Sequence, residues 1–174
     1  MRWRAVLVLA AASAAFSAVA AGLPAPYAAT VVQPAGVPER YEFDLTAALQ
    51  RAQAQNKRLY VYLGADDCPF CRKYEAFLAA NAAALAPHFA KDYLVVDLRS
   101  KLSVTADKLH FRVGEKSLPY AEFMRSIGDE RARLLVYPSV WLFDGKGKPL
   151  MQMPAGTGTF ETVPEQLEIL RLQQ

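Results

Sequence analysis

A short apolar strand pattern leads directly into a pair of cysteines and then into a helix. Residues 59–63 form an uninterrupted run of β-forming side chains, which is typical of a strand buried on both faces. Residues 64–67 supply a turn, and Cys68-Pro69-Phe70-Cys71 opens a helical pattern. Pro69 fits the first helical turn, where its missing N–H removes no hydrogen bond. This order predicts an α/β architecture in which both cysteines lie at a helix start.

The remaining apolar patterns alternate between helix and strand. Helical patterns start near Asp44, Asn81, Ser117 and Thr162, and strand patterns cover residues 93–97, 136–143 and 150–153. Strands separated by helices favour parallel pairing, whereas the last two strand patterns form an antiparallel hairpin around residues 144–148. We therefore predict a small mixed central sheet with helices on both faces. Residues 98–117 match no clear pattern.

The N-terminus has the three parts of a secretory signal peptide. Arg2 and Arg4 are followed by a charge-free apolar stretch and then by small residues in an A-x-A arrangement. We predict a signal peptide at residues 1–21, with an uncleaved membrane anchor as the alternative that the short apolar stretch disfavours. Four prolines within residues 22–38 predict a Pro/Ala-rich extended linker. The folded domain would then cover residues 39–174, in a periplasmic or secreted, disulfide-permissive compartment.

Charge and cysteine content exclude several classes of protein. The chain of 174 residues has 20 basic and 17 acidic residues, so the formal net charge of +3 does not favour a nucleic-acid partner. Only two cysteines are present, which excludes a disulfide-stapled scaffold and a four-cysteine metal site. We expect neither a resident cofactor nor a metal.

Redox chemistry is the function that the two cysteines favour most. The positive end of a helix favours a thiolate at Cys68, and the thiolate is the species that attacks a disulfide. Cys71 lies one turn further on the same face, where it would release a substrate held by Cys68. We expect Cys68 to be exposed and Cys71 partly covered. A structural disulfide, two inert thiols, or a metal site that includes His88 or His110 are the alternatives.

Two segments resemble the thioredoxin superfamily, and most of all its secreted bacterial thioredoxin-related proteins. They are residues 57–75 with the C-P-F-C motif and residues 137–147, which begin with Tyr137-Pro138. The resemblance implies a thioredoxin-like fold, a nucleophilic Cys68 and a resolving Cys71 that form a redox disulfide. It also implies a cis Pro138 which, with Tyr137, docks the substrate backbone.

The chain departs from the family pattern at three positions, one of which is Asp67, where the family has an aromatic residue before the first cysteine. The buried carboxylate found six residues before the first cysteine is Tyr62 here, and the histidine of strong oxidases is Phe70. Because Phe70 cannot stabilise a thiolate as histidine does, reduction or general exchange is favoured over strong oxidation.

The resulting hypothesis is a secreted or periplasmic thiol–disulfide oxidoreductase that acts on protein thiols and disulfides. A reductase in an oxidising compartment would need an electron donor, such as a membrane-spanning thiol relay. The alternative is a thioredoxin-fold metallochaperone or binding module in which Cys68 and Cys71 hold Cu(I), an ion that thiolates bind well.

Overall fold

Helices and strands alternate along the part of the chain that the computed structural model describes, residues 21–36, 39–128, 134–153 and 161–171. The strands in this part are β1 (Thr30–Val32), β2 (Tyr41–Asp44), β3 (Arg58–Ala65), β4 (Tyr93–Ser100), β5 (Leu109–Val113), β6 (Lys116–Pro119), β7 (Ser139–Phe143) and β8 (Pro149–Met153). The helices are α1 (Thr46–Ala54), α2 (Pro69–Ala80), α3 (Ala82–Asp92), α4 (Tyr120–Ser126) and α5 (Val163–Arg171). Short 3₁₀ turns cover Ala25–Tyr27 and Ala106–Lys108.

The central sheet is mixed, as the sequence predicts. Its strand order is β1-β4-β3-β7-β8, with β1, β4 and β3 parallel and with β7 and β8 antiparallel to their neighbours. Successive residues of β3 point to opposite faces, so the strand contributes to two separate cores. Leu59, Val61 and Leu63 pack with α1 and α4, whereas Tyr60 and Tyr62 pack with α2, α3 and α5. Helices therefore cover both faces, which confirms the predicted fold class.

Residues 98–117 build part of the core. They complete β4 and form β5 and β6, which join β2 in a second, three-stranded sheet. Phe111 of β5 stacks on Phe123 of α4 with ring centroids 4.5 Å apart, and its ring edge contacts Trp141 of β7. The burial of β5 alternates along the strand, so a period-two signal is present in a segment whose charged residues obscure it.

The N-terminal segment is docked on the domain, so the predicted linker is wrong for its described residues. The Leu23 N–H donates to Asp97 of β4 over 2.8 Å, and the Tyr27 hydroxyl donates to the Leu78 carbonyl over 2.9 Å. β1 then pairs parallel with β4. The described prolines of this segment, Pro24, Pro26 and Pro34, lie outside β1, which is an edge strand, so they interrupt none of its ladder hydrogen bonds. The folded unit therefore begins before residue 39.

The predicted signal peptide lies outside the described residues, apart from Ala21. In the described part, no helix combines the length and the apolar character needed to cross a bilayer.

Replacing Tyr27 with alanine tests the docking of this segment. Tyr27 is buried and its ring meets Phe89 edge-to-face at 5.0 Å, so Tyr27→Ala is expected to lower the free energy of unfolding by about 3–5 kcal/mol. Val31→Ala is the control, because Val31 is exposed and should change stability little. Chemical denaturation measures both. A free linker would give no difference between the two variants.

Candidate active site at the start of helix α2

The two cysteines lie just after the end of β3, at the start of α2. Cys68 is the N-cap residue of α2, in an extended conformation (φ −96°, ψ 114°), and Pro69 begins the first turn. The Cys68 Sγ accepts the Cys71 N–H over 3.1 Å, and the Cys71 Sγ accepts the Ala65 N–H over 3.5 Å. Both cysteines are free thiols in the structure. The local sequence therefore builds the strand–turn–helix that it predicts.

The expected exposure of Cys68 is wrong, because both cysteines are buried. Cys68 is 2% exposed and Cys71 is fully buried, in a small cluster with Ala65 against which Tyr137 packs. The reason is the capping bond. By accepting the Cys71 N–H, the Cys68 sulfur is turned back over the first helical turn and away from water.

Burial raises the pKa of the Cys71 thiol to about 12. The hydrogen bond and the charge of Cys68 contribute to this raised pKa, whereas the Ala65 N–H and the Tyr62 hydroxyl oppose it. Because the folded pKa is far above the ordinary value of about 8.5, Cys71 carries its proton at neutral pH.

Alkylation across pH tests this raised pKa. In a Cys68→Ser variant, which leaves Cys71 as the one thiol of the chain, the alkylation rate is expected to keep rising with pH well beyond the range where a free cysteine levels off. Mass spectrometry of the quenched protein measures the rate. The same protein unfolded in urea is the control. A rate that levels off near the ordinary thiol pKa in the folded variant would contradict the assignment.

Tyr137 and Pro138 lie beside the cysteine pair. The Tyr137–Pro138 peptide bond is cis, as the resemblance implies, and Ser139 begins β7 directly after it. The Tyr137 ring packs on the cysteine cluster, and its hydroxyl donates to the Ser100 Oγ over 3.0 Å. Burial raises the pKa of Tyr137 to about 12, so its hydroxyl stays neutral.

Phe70 is the exposed apolar side chain next to the cysteines. It follows Pro69 in the first turn of α2 and is 53% exposed, although it stands between two buried cysteines. An exposed aromatic ring at this point offers apolar contact area to an approaching polypeptide. The sequence analysis considered Phe70 only as the residue that replaces a histidine, and it did not predict an exposed apolar surface here.

A buried carboxylate lies behind Cys71, on the next turn of α2. Glu75 is buried, and its Oε1 accepts the Tyr62 hydroxyl over 2.9 Å. The same oxygen accepts from Arg72 over 2.8 Å and from Arg99 over 3.2 Å. Burial first, and then the charges of Cys71 and Glu75, hold the pKa of Tyr62 well above its usual range. A neutral tyrosine hydroxyl thus donates to an ion-paired, buried carboxylate.

Arg99 of β4 is the centre of this buried group. Its side chain is 3% exposed and pairs with Glu75, with Asp97 at 3.2 Å and with Asp66 at 2.7 Å. Burial alone would lower the pKa of Arg99, but hydrogen bonding to Asp66 and the charges of Asp97 and Glu75 raise it overall. Burial raises the pKa of Asp97, against the opposing effects of Leu23 and Arg99.

Sequence reasoning missed this group, although one signal was present. Glu75 stands four residues after Cys71, so helical spacing puts it on the same face of α2. Nothing in the sequence shows that Arg99, 24 residues further along, closes over that face.

Within the described residues, no group of three or more His, Cys, Asp or Glu side chains is close enough to hold a metal ion. His88 lies on α3 and His110 on β5, and neither joins the cysteines in a cluster.

Comparison with known proteins identifies the same region. The family model described as "thioredoxin-like domain" matches residues 45–169, which include both cysteines and the Tyr137–Pro138 bond. The search of curated proteins returned no match. A thioredoxin-fold protein from Helicobacter pylori is 16% identical, with a TM-score of 0.44 over 67% of this chain and 68% of that one. An exposed lipoprotein thioredoxin from Streptococcus pneumoniae is 17% identical, with a TM-score of 0.42 over 71% and 89%.

Proposed function

This chain belongs to the thioredoxin-like family, and we propose that it is a thiol–disulfide oxidoreductase that exchanges disulfides with protein cysteines through Cys68 and Cys71. One observation carries the proposal. The Cys68 sulfur caps the helix that also holds Cys71, so the two thiols share the first turn of α2. In that position the second thiol lies within one helical turn of the first and is within reach of it.

Exchange proceeds in two balanced steps. In the first, the Cys68 thiolate attacks a substrate disulfide, forms a Cys68–substrate S–S bond and releases one substrate thiolate. In the second, the Cys71 sulfur loses its proton and attacks the Cys68 sulfur, the Cys68–substrate bond breaks, and the second substrate thiolate leaves and takes up a proton in turn. The substrate disulfide gains two electrons. The Cys68–Cys71 pair loses the same two electrons when it forms its own disulfide.

The substrate face consists of Phe70, Tyr137 and Pro138. Phe70 supplies exposed apolar area beside Cys68, and the Tyr137 ring covers the cysteines from the β7 side. An extended substrate segment placed between them would have its sulfur close to Cys68. Rotation of the Cys68 side chain away from the Cys71 N–H would accompany this binding.

We favour reduction or general exchange of disulfides over strong oxidation, and we favour an exported protein. Phe70 occupies the position from which a histidine would stabilise the Cys68 thiolate. Less stabilisation of the reduced form makes a pair less oxidising. The predicted signal peptide favours export, and a reductase there would take electrons from a membrane-spanning thiol relay.

Disulfide reduction tests the proposal. Purified protein with dithiothreitol is expected to accelerate the reduction of insulin, and Cys68→Ser is expected to abolish the acceleration, because the attacking sulfur is lost. Copper bound by the purified protein is measured in parallel. Stoichiometric Cu(I) with no acceleration of insulin reduction would contradict the proposal and favour the metal-carrier alternative.

A further inference from the structure

An open apolar pocket lies at the end of the domain opposite the cysteines. It has a volume of about 180 Å³ and lies between α1, α4, the β5–β6 hairpin, the start of β3 and the end of β7. Leu59 near the start of β3 lines it, whereas Ala65 at the end of β3 packs with Cys68. Along the strand these two residues are about 20 Å apart. The pocket is therefore separate from the cysteine pair.

Buried apolar side chains from both sheets form the floor of this pocket. Leu59 and Phe143 belong to the central sheet, whereas Phe111 belongs to the second sheet and Phe123 to α4. Each of the four is at most 4% exposed. Protein interiors seldom leave voids larger than a water molecule, and an apolar cavity of about 150 Å³ stays dry and binds benzene. The pocket can therefore hold an apolar group of about the size of one aromatic ring.

One face of the β5–β6 hairpin leads from this floor to the mouth of the pocket. Phe111 pairs with Leu118, and Val113 pairs with Lys116. Because side chains alternate along a strand, these four share one face of the hairpin, and all four line the pocket. Phe111 is buried, whereas Val113 is 40% exposed and Lys116 is exposed. The lining thus changes from apolar at the floor to a cation at the mouth.

Lys116 is free to pair with a ligand. Among the described residues that line the pocket it is the only charged one, and its side chain has no ion-pair or hydrogen-bond partner within the described part of the chain. Glu42 is held by Arg112 and Ser117, on the opposite face of the hairpin. Glu115, the neighbour of Lys116, does not line the pocket. The charge at the mouth is therefore positive and suits an anionic group.

We propose that this pocket binds a small organic carboxylate whose apolar body is about the size of one aromatic ring. The body would pack on Phe111 and Phe123, and the carboxylate would pair with Lys116 at the mouth. An apolar lining with a few placed polar groups is the usual composition of a small-molecule site. This binding is a function beyond disulfide exchange, and it uses neither cysteine.

Titration with 3-phenylpropionate, followed by amide chemical shifts of the ¹⁵N-labelled protein, tests the proposal. Saturable shifts are expected at Val113, Leu118 and Ile127, which line the pocket, with a Kd of about 1 mM or below for a ligand of this size. The neutral counterpart, 3-phenylpropan-1-ol, has the same apolar body. It is expected to bind at the same residues about threefold more weakly, which is the contribution of a partly exposed ion pair.

Substitutions at the mouth and in the wall separate the two parts of the interaction. Lys116→Met should weaken binding of the acid about threefold and leave the alcohol unchanged, and Lys116→Glu should weaken the acid about tenfold because it adds repulsion. Lys91→Met is the matched control, because Lys91 is an exposed lysine on α3, away from the pocket. Leu118→Trp puts an indole ring into the pocket and should abolish binding of both ligands.

Three results would overturn the proposal: no saturable shifts at the pocket, equal affinities for acid and alcohol, or equal losses in Lys116→Met and Lys91→Met. Self-association through the pocket, abolished by Leu118→Trp and without ligand binding, would overturn it in favour of a second copy as the occupant. Where Leu118→Trp does not fold, Lys116→Met, a surface change, decides. All variants should reduce insulin at the wild-type rate, so failure of this proposal leaves the proposed function untouched.

Discussion

Cys71→Ser is expected to accumulate substrate proteins as covalent adducts when the protein is expressed in an exporting host. Cys68 still attacks, but the serine hydroxyl cannot replace the Cys71 thiolate in releasing the mixed disulfide. The chain has no third cysteine to take over this role. Non-reducing electrophoresis should show adducts that disappear when a reductant is added, while wild-type protein, which resolves its mixed disulfides, should show few.

Cys68→Ser is the matched control for the trapping experiment. It makes the same sulfur-to-oxygen change one turn earlier, at the helix N-cap, and is expected to form no adducts, because the raised pKa of Cys71 keeps that thiol protonated. Equal trapping by both variants would reverse the assigned roles. No adducts with Cys71→Ser would remove the main support for an oxidoreductase.

Arg99→Met is expected to cause the largest loss of stability among single substitutions near the site. Asp97 and Glu75 are both buried and both pair with the Arg99 guanidinium. Removing it leaves Asp97 with only the Leu23 N–H of its described hydrogen bonds, and breaking a buried ion pair in this way costs about 3–5 kcal/mol. Urea denaturation followed by circular dichroism measures the change.

Acid should reduce the stability deficit of Arg99→Met. Burial raises the pKa of Asp97 even with Arg99 present, and losing the arginine raises it further. A carboxyl with a raised folded pKa binds protons more tightly in the folded state, so stability is recovered as pH falls through that pKa. The difference between variant and wild type should therefore shrink at lower pH.

Arg40→Met is the control for this stability experiment. Arg40 also pairs with a carboxylate, Glu42, but its side chain is 44% exposed, and Glu42 keeps Arg112 at 2.6 Å. The expected loss is less than about 1 kcal/mol. Losses of equal size in Arg99→Met and Arg40→Met would show that the buried ion group contributes no special stability.

Local patterns in the sequence predict most of the elements around the site. The apolar run at residues 59–63 lies inside β3, Pro69 begins α2, and the helical pattern near Thr162 becomes α5, with the Glu165 N–H donating to the Thr162 Oγ1 over 3.4 Å. These predictions are correct because a helix start or a buried strand is specified by residues close together in the chain. Boundaries shift where packing decides: the helix expected from Ser117 begins at Tyr120, because residues 116–119 pair with β5.

Two predictions from the sequence are wrong, the free linker and the exposed Cys68, and both depend on contacts between residues far apart in the chain. The proline-rich segment 22–36 contributes a strand, because β4 offers a free edge and Leu78 a free carbonyl far along the chain. Cys68 is buried for two reasons. Its sulfur caps α2, and Tyr137, which comes just before β7 far along the chain, packs against it. Proline content and helix position describe neighbours in sequence, and neither contains information about these contacts.

The sequence by itself determined the order of elements, the placement of Cys68 and Cys71 at a helix start, and the position of Tyr137-Pro138 at the head of a strand, because each depends on residues close together in the chain. Only the tertiary structure decided that the Glu75 carboxylate, one turn after Cys71, accepts from Tyr62 of β3 and from Arg99 of β4. The parallel register of β3 and β4 brings Gly64 opposite Arg99, and the absence of a side chain at Gly64 leaves room for the guanidinium. A buried carboxylate needs such a partner, and the partner comes from another strand.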